Sequence, residues 1–282
     1  MNMSKIKIVT DSTVDMTDEL IRKYDIEVVP LSIQIEGETY LDRVDLTPKD
    51  FLNKMKAAKE LPKSSQPPVG VFAETYDRLG SEGYDVLSIH MTGGMSGTVQ
   101  SAETAASMSK ANVMVVDSRF ISKALSFQVI EASQMAKAGK SMDEILARLD
   151  QIRSNTRLFV VVDTLENLVK GGRIGKGKAM IGSLLNIKPI ASLEGGVYTP
   201  VSKARSYSQV ANYLAKQFAE DTAGHQIKGV GLVHAEAPEL NQKLISALKT
   251  IAGFDLIDIE YTTPIVSTHT GPGAIGFMYY FD

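Results

Sequence analysis

Several short segments of this chain carry residue types able to bind or transform a ligand. Thr92-Gly93-Gly94-Met95-Ser96-Gly97-Thr98 falls between an expected strand and an expected helix, where open α/β sheets take their ligands. Free N–H groups at a helix start favour an anion, and glycines let it approach the backbone. An ordinary glycine-rich turn capped by Ser96 or Thr98 reads equally well. A nucleophile elbow needs G-x-S-x-G, and the run from Gly94 to Thr98 lacks the last glycine. A serine-dependent acyl hydrolase using Ser96, with His269 as base and Asp11 or Asp117 orienting it, is the alternative reading.

The run Gly172 to Ala179 reads G-x-x-x-x-G-K-A. Ala179 stands where a phosphate-binding loop needs a hydroxyl for Mg²⁺, and a helix-like stretch precedes it instead of a strand. What remains is a basic loop, Lys170, Arg173, Lys176 and Lys178 within nine residues. It reads either as solvated or as a docking surface for an acidic partner or phosphate. His269 comes just before Gly271-Pro272-Gly273, a turn that can present a side chain to a cleft. His90 and His234 at strand ends read as packed, hydrogen-bonded histidines, and His225 in a polar loop reads as solvated. No histidines share a ligand spacing, so no metal site is expected. Asp11-Ser12-Thr13 and Ser64-Ser65-Gln66-Pro67 read, taken alone, as capping and turn chemistry.

The elements that must position these residues change rhythm midway. Strands are expected at Lys5–Thr10, Ile26–Ile35, Tyr84–Met91 and Val113–Asp117. Helices are expected at Thr17–Tyr24, from Thr47-Pro48, at Val69–Glu82, Val99–Ser109 and Ile121–Lys137, and from the capping box Ser141-x-x-Glu144 to about Arg153. Leu61 to Pro68 reads as a loop. Such alternation implies βαβ units on a mostly parallel sheet with helices on both faces. After Ser154 come strand Leu158–Val162, a helical Leu165–Val169, the basic loop and a short helix to Leu185. A hairpin then turns at Gly195-Gly196 between strands Ile187–Leu193 and Val197–Lys203. Helix Ser206–Ala219, strand Ile227–His234, helix Pro238–Ala252 and strands Leu256–Tyr261 and Ile275–Phe281 complete the pattern. A hairpin and a terminal strand imply a mixed or antiparallel sheet. The expected domains are 1–154 and 155–282, both α/β, with a ligand cleft between them.

Composition narrows the function classes. A chain of 282 residues buries about 73% of its unfolded surface and makes about two domains. Its 30 Lys and Arg against 33 Asp and Glu leave a net charge of −3, which gives no general attraction to nucleic acid. No cysteine is present, so disulfides, thiolate metal sites and cysteine nucleophiles are excluded. No apolar run approaches 18 residues and no signal-peptide h-region opens the chain, so a cytoplasmic protein is expected.

In order along the chain, IVTDST, KSSQPP, MSGTVQSA, KGGRIG, IKPI followed by Arg205, and HTGPGAIG resemble the DegV family of bacterial fatty-acid-binding proteins, from about Ile6 to Phe281. The resemblance implies a two-domain α/β fold that holds one long-chain fatty acid between its domains, with no further cofactor. It implies that the carboxylate is held by Ser64, by Thr92 and Gly93 at the turn start, and by His269, with Ser96 able to compensate. Ser64 stands for the family's threonine, and Thr92-Gly93 for its paired serines, so one side-chain donor is lost and the backbone N–H of Gly93 or Gly94 must serve, with Thr92 or Ser96 as the alternative donors. The resemblance further implies a non-catalytic carrier whose bound acid a separate fatty-acid kinase phosphorylates to an acyl phosphate for phospholipid metabolism. Arg173 would serve docking of that kinase, and lipid exchange would involve transient contact with a membrane surface.

Overall fold

Alternating β-branched runs and capped amphipathic stretches build the first half. The structure is a computed structural model that describes residues 5–181, 187–256 and 258–282. In chain order, β1 (Lys5–Asp11), α1 (Asp18–Tyr24), β2 (Glu27–Val29), β3 (Ser32–Ile35), β4 (Glu38–Leu41) and α2 (Pro48–Ala57) come first. They are followed by β5 (Lys63–Ser65), α3 (Val69–Ser81), β6 (Tyr84–His90), α4 (Thr98–Met108), β7 (Val113–Asp117), α5 (Ser122–Lys137) and α6 (Met142–Asn155). The second half holds β8 (Thr156–Val161), α7 (Glu166–Lys170), β9 (Lys188–Ser192), β10 (Thr199–Ala204) and α8 (Tyr207–Asp221). It ends with β11 (Ile227–Ala235), α9 (Pro238–Ala247), β12 (Ile259–Tyr261), α10 (Pro264–Thr270) and β13 (Ala274–Phe281).

The first-half sheet has the order β2-β1-β6-β7 and is parallel throughout. Its two faces are buried separately. Leu87 and Ile89 pack with Leu125 and Val129 of α5 and Ile145 of α6, whereas Val9 and Val86 pack with Phe72 and Tyr76 of α3 and Ala102 of α4. Burial on both faces is what makes these strands read as near-continuous apolar runs. The second-half sheet runs β10-β9-β8-β13-β11-β12. Its pairs are antiparallel except β11 with β12. Along β13 the side chains alternate: Ile275, Phe277 and Tyr279 pack against α8 and α9. Ala274 and Met278 face the opposite way, into a core shared with Leu31, Phe51 and Ile121 of the first half. The fold is thus the mixed α/β arrangement expected from the sequence.

Three expectations fail for local reasons. Ile26–Ile35 is not one strand, because Pro30 cannot donate to a ladder. The chain turns there, and β2 and β3 join different sheets. β3 instead forms a small antiparallel sheet, β4-β3-β5, so the expected loop Leu61–Pro68 contains a strand. The turn before β13 is preceded by α10, a helix begun by Pro264. The basic loop ends in a 3₁₀ turn, Gly175–Met180, and the rest of the expected helix to Leu185 lies outside the described residues.

Candidate functional site

A cavity of about 320 Å³ lies between the two sheets, within the range of small-molecule sites. Its walls are mainly apolar and come from both halves, among them Leu31, Met91 and Ile121 from the first and Val160, Leu193 and Tyr198 from the second. The polar end carries Ser64, Gln66, Ser96, Arg173 and His269. Three of these, Ser64, Arg173 and His269, also line an outer groove of about 690 Å³ together with Lys59, Lys63 and Lys170. They therefore form the partition between the cavity and the surface.

Each residue of this partition is fixed by its element. Ser64 sits in β5, paired with Ile33 of β3, and its Oγ lies 2.7 Å from His269 Nε2. His269 occupies the last turn of α10, whose start is held by two buried aspartate side chains from the first half. Asp15 accepts from Thr263 N at 3.0 Å and Asp42 from Ile265 N at 3.4 Å, where the helix presents unsatisfied N–H groups. Asn167 Nδ2 donates to Thr268 O at 3.0 Å and holds the other end. Burial, and then the Arg173 charge, push the His269 imidazole down to about 4, so it is neutral near pH 7. Its Nδ1 has no hydrogen-bond partner among the described residues. An orphaned buried N–H is rarer than an orphaned acceptor, which favours the tautomer with the proton on Nε2. That tautomer donates to Ser64 Oγ and leaves the Ser64 hydroxyl proton free to donate to a ligand.

Among the described residues Arg173 is held by carbonyl oxygens: Nε donates to Met95 O at 3.0 Å and Nη1 to Gly171 O. No salt bridge involves it among the described residues. A guanidinium at the end of an apolar cavity, with no carboxylate paired to it among the described residues, leaves room for an anionic ligand. Arg173, expected as a docking residue, thus faces both the cavity and the outer groove.

The turn before α4 divides its residues differently from the expectation. Ser96 lines the cavity, with its Oγ 2.8 Å from Thr98 Oγ1. Thr92 and Gly93 stand outside the lining. Thr92 is 1% exposed; its Oγ1 donates to Gly196 O at 2.8 Å and accepts from Gly94 N at 3.1 Å. It ties the first-half turn to the second-half hairpin. A Cβ on Gly94 would fall 2.8 Å from Val197 Cγ1 and still nearer the end of that hairpin, so the close approach requires glycine. The Gly93 N–H is taken by Asp117 Oδ2 at 3.1 Å. Gln66, which sequence reasoning left as turn chemistry, both lines the cavity and donates to Ser101 Oγ at 2.7 Å. It packs against Gly97 so closely that any side chain there would overlap its amide. Tyr198 and the apolar walls were missed as well. Their only signal, alternation along strands whose partners are unknown, does not single them out.

The hydrolase constellation does not assemble. Ser96 shares its hydrogen bond with Thr98, and His269 is bonded to Ser64 instead. Asp117 holds backbone N–H groups of Gly93 and Arg119. Asp11 is paired with His90, whose Nδ1 lies 3.1 Å from Asp11 Oδ2. Ser88 Oγ lies 2.7 Å from His90 Nε2, and Tyr76 OH 2.7 Å from Ser88 Oγ. This relay has the residue types of a catalytic triad, but Ser88, His90 and Asp11 are all 0% exposed and none lines the cavity. Burial pushes the Asp11 carboxyl up, and His90, Thr13 and Met91 N outweigh it and hold it below the usual range. The relay is a satisfied core network. The G-x-x-x-x-G-K-A loop follows α7 and not a strand, which leaves out the architecture of a phosphate-binding loop.

The profile of the DegV family matches residues 5–282. A DegV domain-containing protein of Listeria innocua is 43% identical over 281 residues, 99% of this chain and 100% of that one. Among solved structures, a fatty-acid-binding DegV family protein from Thermus thermophilus superposes with a TM-score of 0.90 at 32% identity, covering 99% of this chain and 100% of the other. DegV, a fatty-acid-binding protein from Bacillus subtilis, gives a TM-score of 0.89 at 33% identity, with the same coverage. Ordered motifs, fold and full-length similarity agree, and the chain belongs to the DegV family.

Proposed function

We propose that the protein binds one long-chain fatty acid, with its tail in the 320 Å³ cavity and its carboxylate at Ser64, His269 and Arg173, and presents that carboxylate to a separate kinase. The observation that carries this reading is the polar end of an apolar cavity. A serine hydroxyl oriented by a neutral histidine stands there beside an arginine that, among the described residues, no acidic side chain neutralises. The relatives from Thermus thermophilus and Bacillus subtilis, described as fatty-acid-binding, support the ligand class.

Magnitudes assign different tasks to the two ends. Burying about 14 methylenes at about 0.8 kcal/mol each contributes on the order of 11 kcal/mol before association costs. A single neutral hydrogen bond nets about 1 kcal/mol. The tail therefore dominates affinity, and Ser64, His269 and Arg173 orient the head. The outer groove, which carries Lys59 and Lys63 beside Glu60 and a Lys170 paired with Glu166, leads to the same three residues and is open to the approach of a phosphoryl donor carried by the kinase. Lys176, Lys178 and the exposed Ile181 on the neighbouring loop suit brief contact with an anionic lipid surface during exchange.

Native mass spectrometry of the purified protein, followed by organic extraction, tests the reading. One fatty acid per chain is expected. A ligand-free spectrum that palmitate and oleate leave unchanged overturns it. His269→Ala is expected to retain lipid but to lose acyl-phosphate formation with a cognate kinase. Loss of lipid from that single variant contradicts the division of tasks.

A further inference from the structure

A second, much smaller space of about 20 Å³ adjoins the main cavity. The two share Ile121, Val160, Val266 and Thr270 as walls. Its floor is the inward face of the six-stranded sheet, where the strand register sets out the side chains in rows. Gly276 of β13 lies between Val160 of β8 and Val233 of β11. Two residues on, Met278 lies between Leu158 and Gly231. Ala274, two residues before, is also on this face. The central strand thus presents alanine, then glycine, then a fully buried methionine, and the trough along it deepens at Gly276 and is closed at Met278. A Cβ on Gly276 would lie 3.1 Å from Met278 Cε and 3.1 Å from Val233 Cγ2, so glycine is what keeps the space open.

We infer that this space is the end stop for the ligand's tail: Gly276 makes room for the terminal carbon of an acyl chain and Met278 sets the longest chain the protein holds. The space is only slightly larger than the ~10–15 Å³ that one water needs, which matches a methyl group and not a longer segment. Methionine is an apt stop because its unbranched thioether follows the shape of its neighbours. The inference rests on the fatty-acid reading above and deepens it, since it names what decides acyl length.

The test is a competition series of saturated fatty acids from 14 to 22 carbons on wild type, M278A and G276A. M278A removes the three heavy atoms beyond Cβ, so its best ligand is expected to be about two carbons longer than that of wild type. Each added methylene that finds apolar cover strengthens binding about fourfold, so the longer acid binds M278A on the order of tenfold more tightly than it binds wild type. G276A fills the space with one carbon and is expected to move the optimum the other way, by one or two carbons. This second variant keeps the test decisive where M278A does not fold. Unchanged optima in variants that still bind fatty acid overturn the end stop and leave the fatty-acid reading intact. Failure of wild type to bind any member of the series overturns that reading itself.

Discussion

Replacing Gly171 by alanine perturbs the head of the site without replacing any side chain that would contact the ligand. Gly171 follows α7 with helical backbone angles, φ −77° and ψ −9°, so alanine is conformationally acceptable there. Its added Cβ, however, would stand 2.9 Å from His269 Cε1, nearer still to Nδ1, and 2.9 Å from Asn167 O. Carbon contacts settle at about 3.5–4.0 Å, so the imidazole must retreat by more than about 0.6 Å. The Ser64–His269 bond starts at 2.7 Å and then passes the ~3.2 Å limit of a good N–H···O bond. Ser64 loses its orienting partner, and the head loses one to two hydrogen bonds worth about 1 kcal/mol each. Affinity should therefore fall by roughly 5- to 30-fold, against the on the order of 11 kcal/mol from the tail. The assay is displacement of a fluorescent fatty acid, paired with NMR titration of the His269 ring, whose midpoint should rise from about 4 as the ring gains solvent. An unchanged titration with unchanged affinity refutes the steric argument. Abolished binding refutes the dominance of the tail.

Other outcomes follow from the same geometry. Burial raises the Asp42 carboxyl from 3.8 to about 7. Its contribution to stability is therefore complete below about pH 4 and is lost as pH rises through 7, by on the order of 4 kcal/mol. Asp42→Asn should gain on wild type across that window in denaturant unfolding, and a difference that stays flat with pH overturns this. Thr92→Val leaves Gly196 O and Gly94 N without their partner and should cost about 1–3 kcal/mol, read as a lowered melting temperature with fatty-acid affinity retained. A loss of affinity at unchanged stability would instead make Thr92 a head-group ligand.

Local sequence determined what local physics controls. The parallel βαβ half, the capping box at Ser141, the hairpin at Gly195-Gly196 and the change of rhythm after Ser154 were all legible, because each is written in near neighbours. So was the family, through motifs that are weak singly and specific in order. What the sequence could not state is which polar groups spend their hydrogen bonds on each other. Thr92 and Ser96 look alike as turn hydroxyls, yet one latches the two halves and the other faces the cavity. His269 and His90 each stand near serine in the fold, but only the first lines a space. The sequence places Arg173 in a basic loop, and only the packing of that loop against the Met95 turn brings it to the end of an apolar cavity. The cavity has the same origin. Alanine, glycine and methionine alternate along one strand with large apolar residues, and this becomes a trough only when α8 and α9 cover the opposite face and the first half covers this one. Partners distant in sequence decide which face of a strand is core and which is site, and no local pattern encodes them.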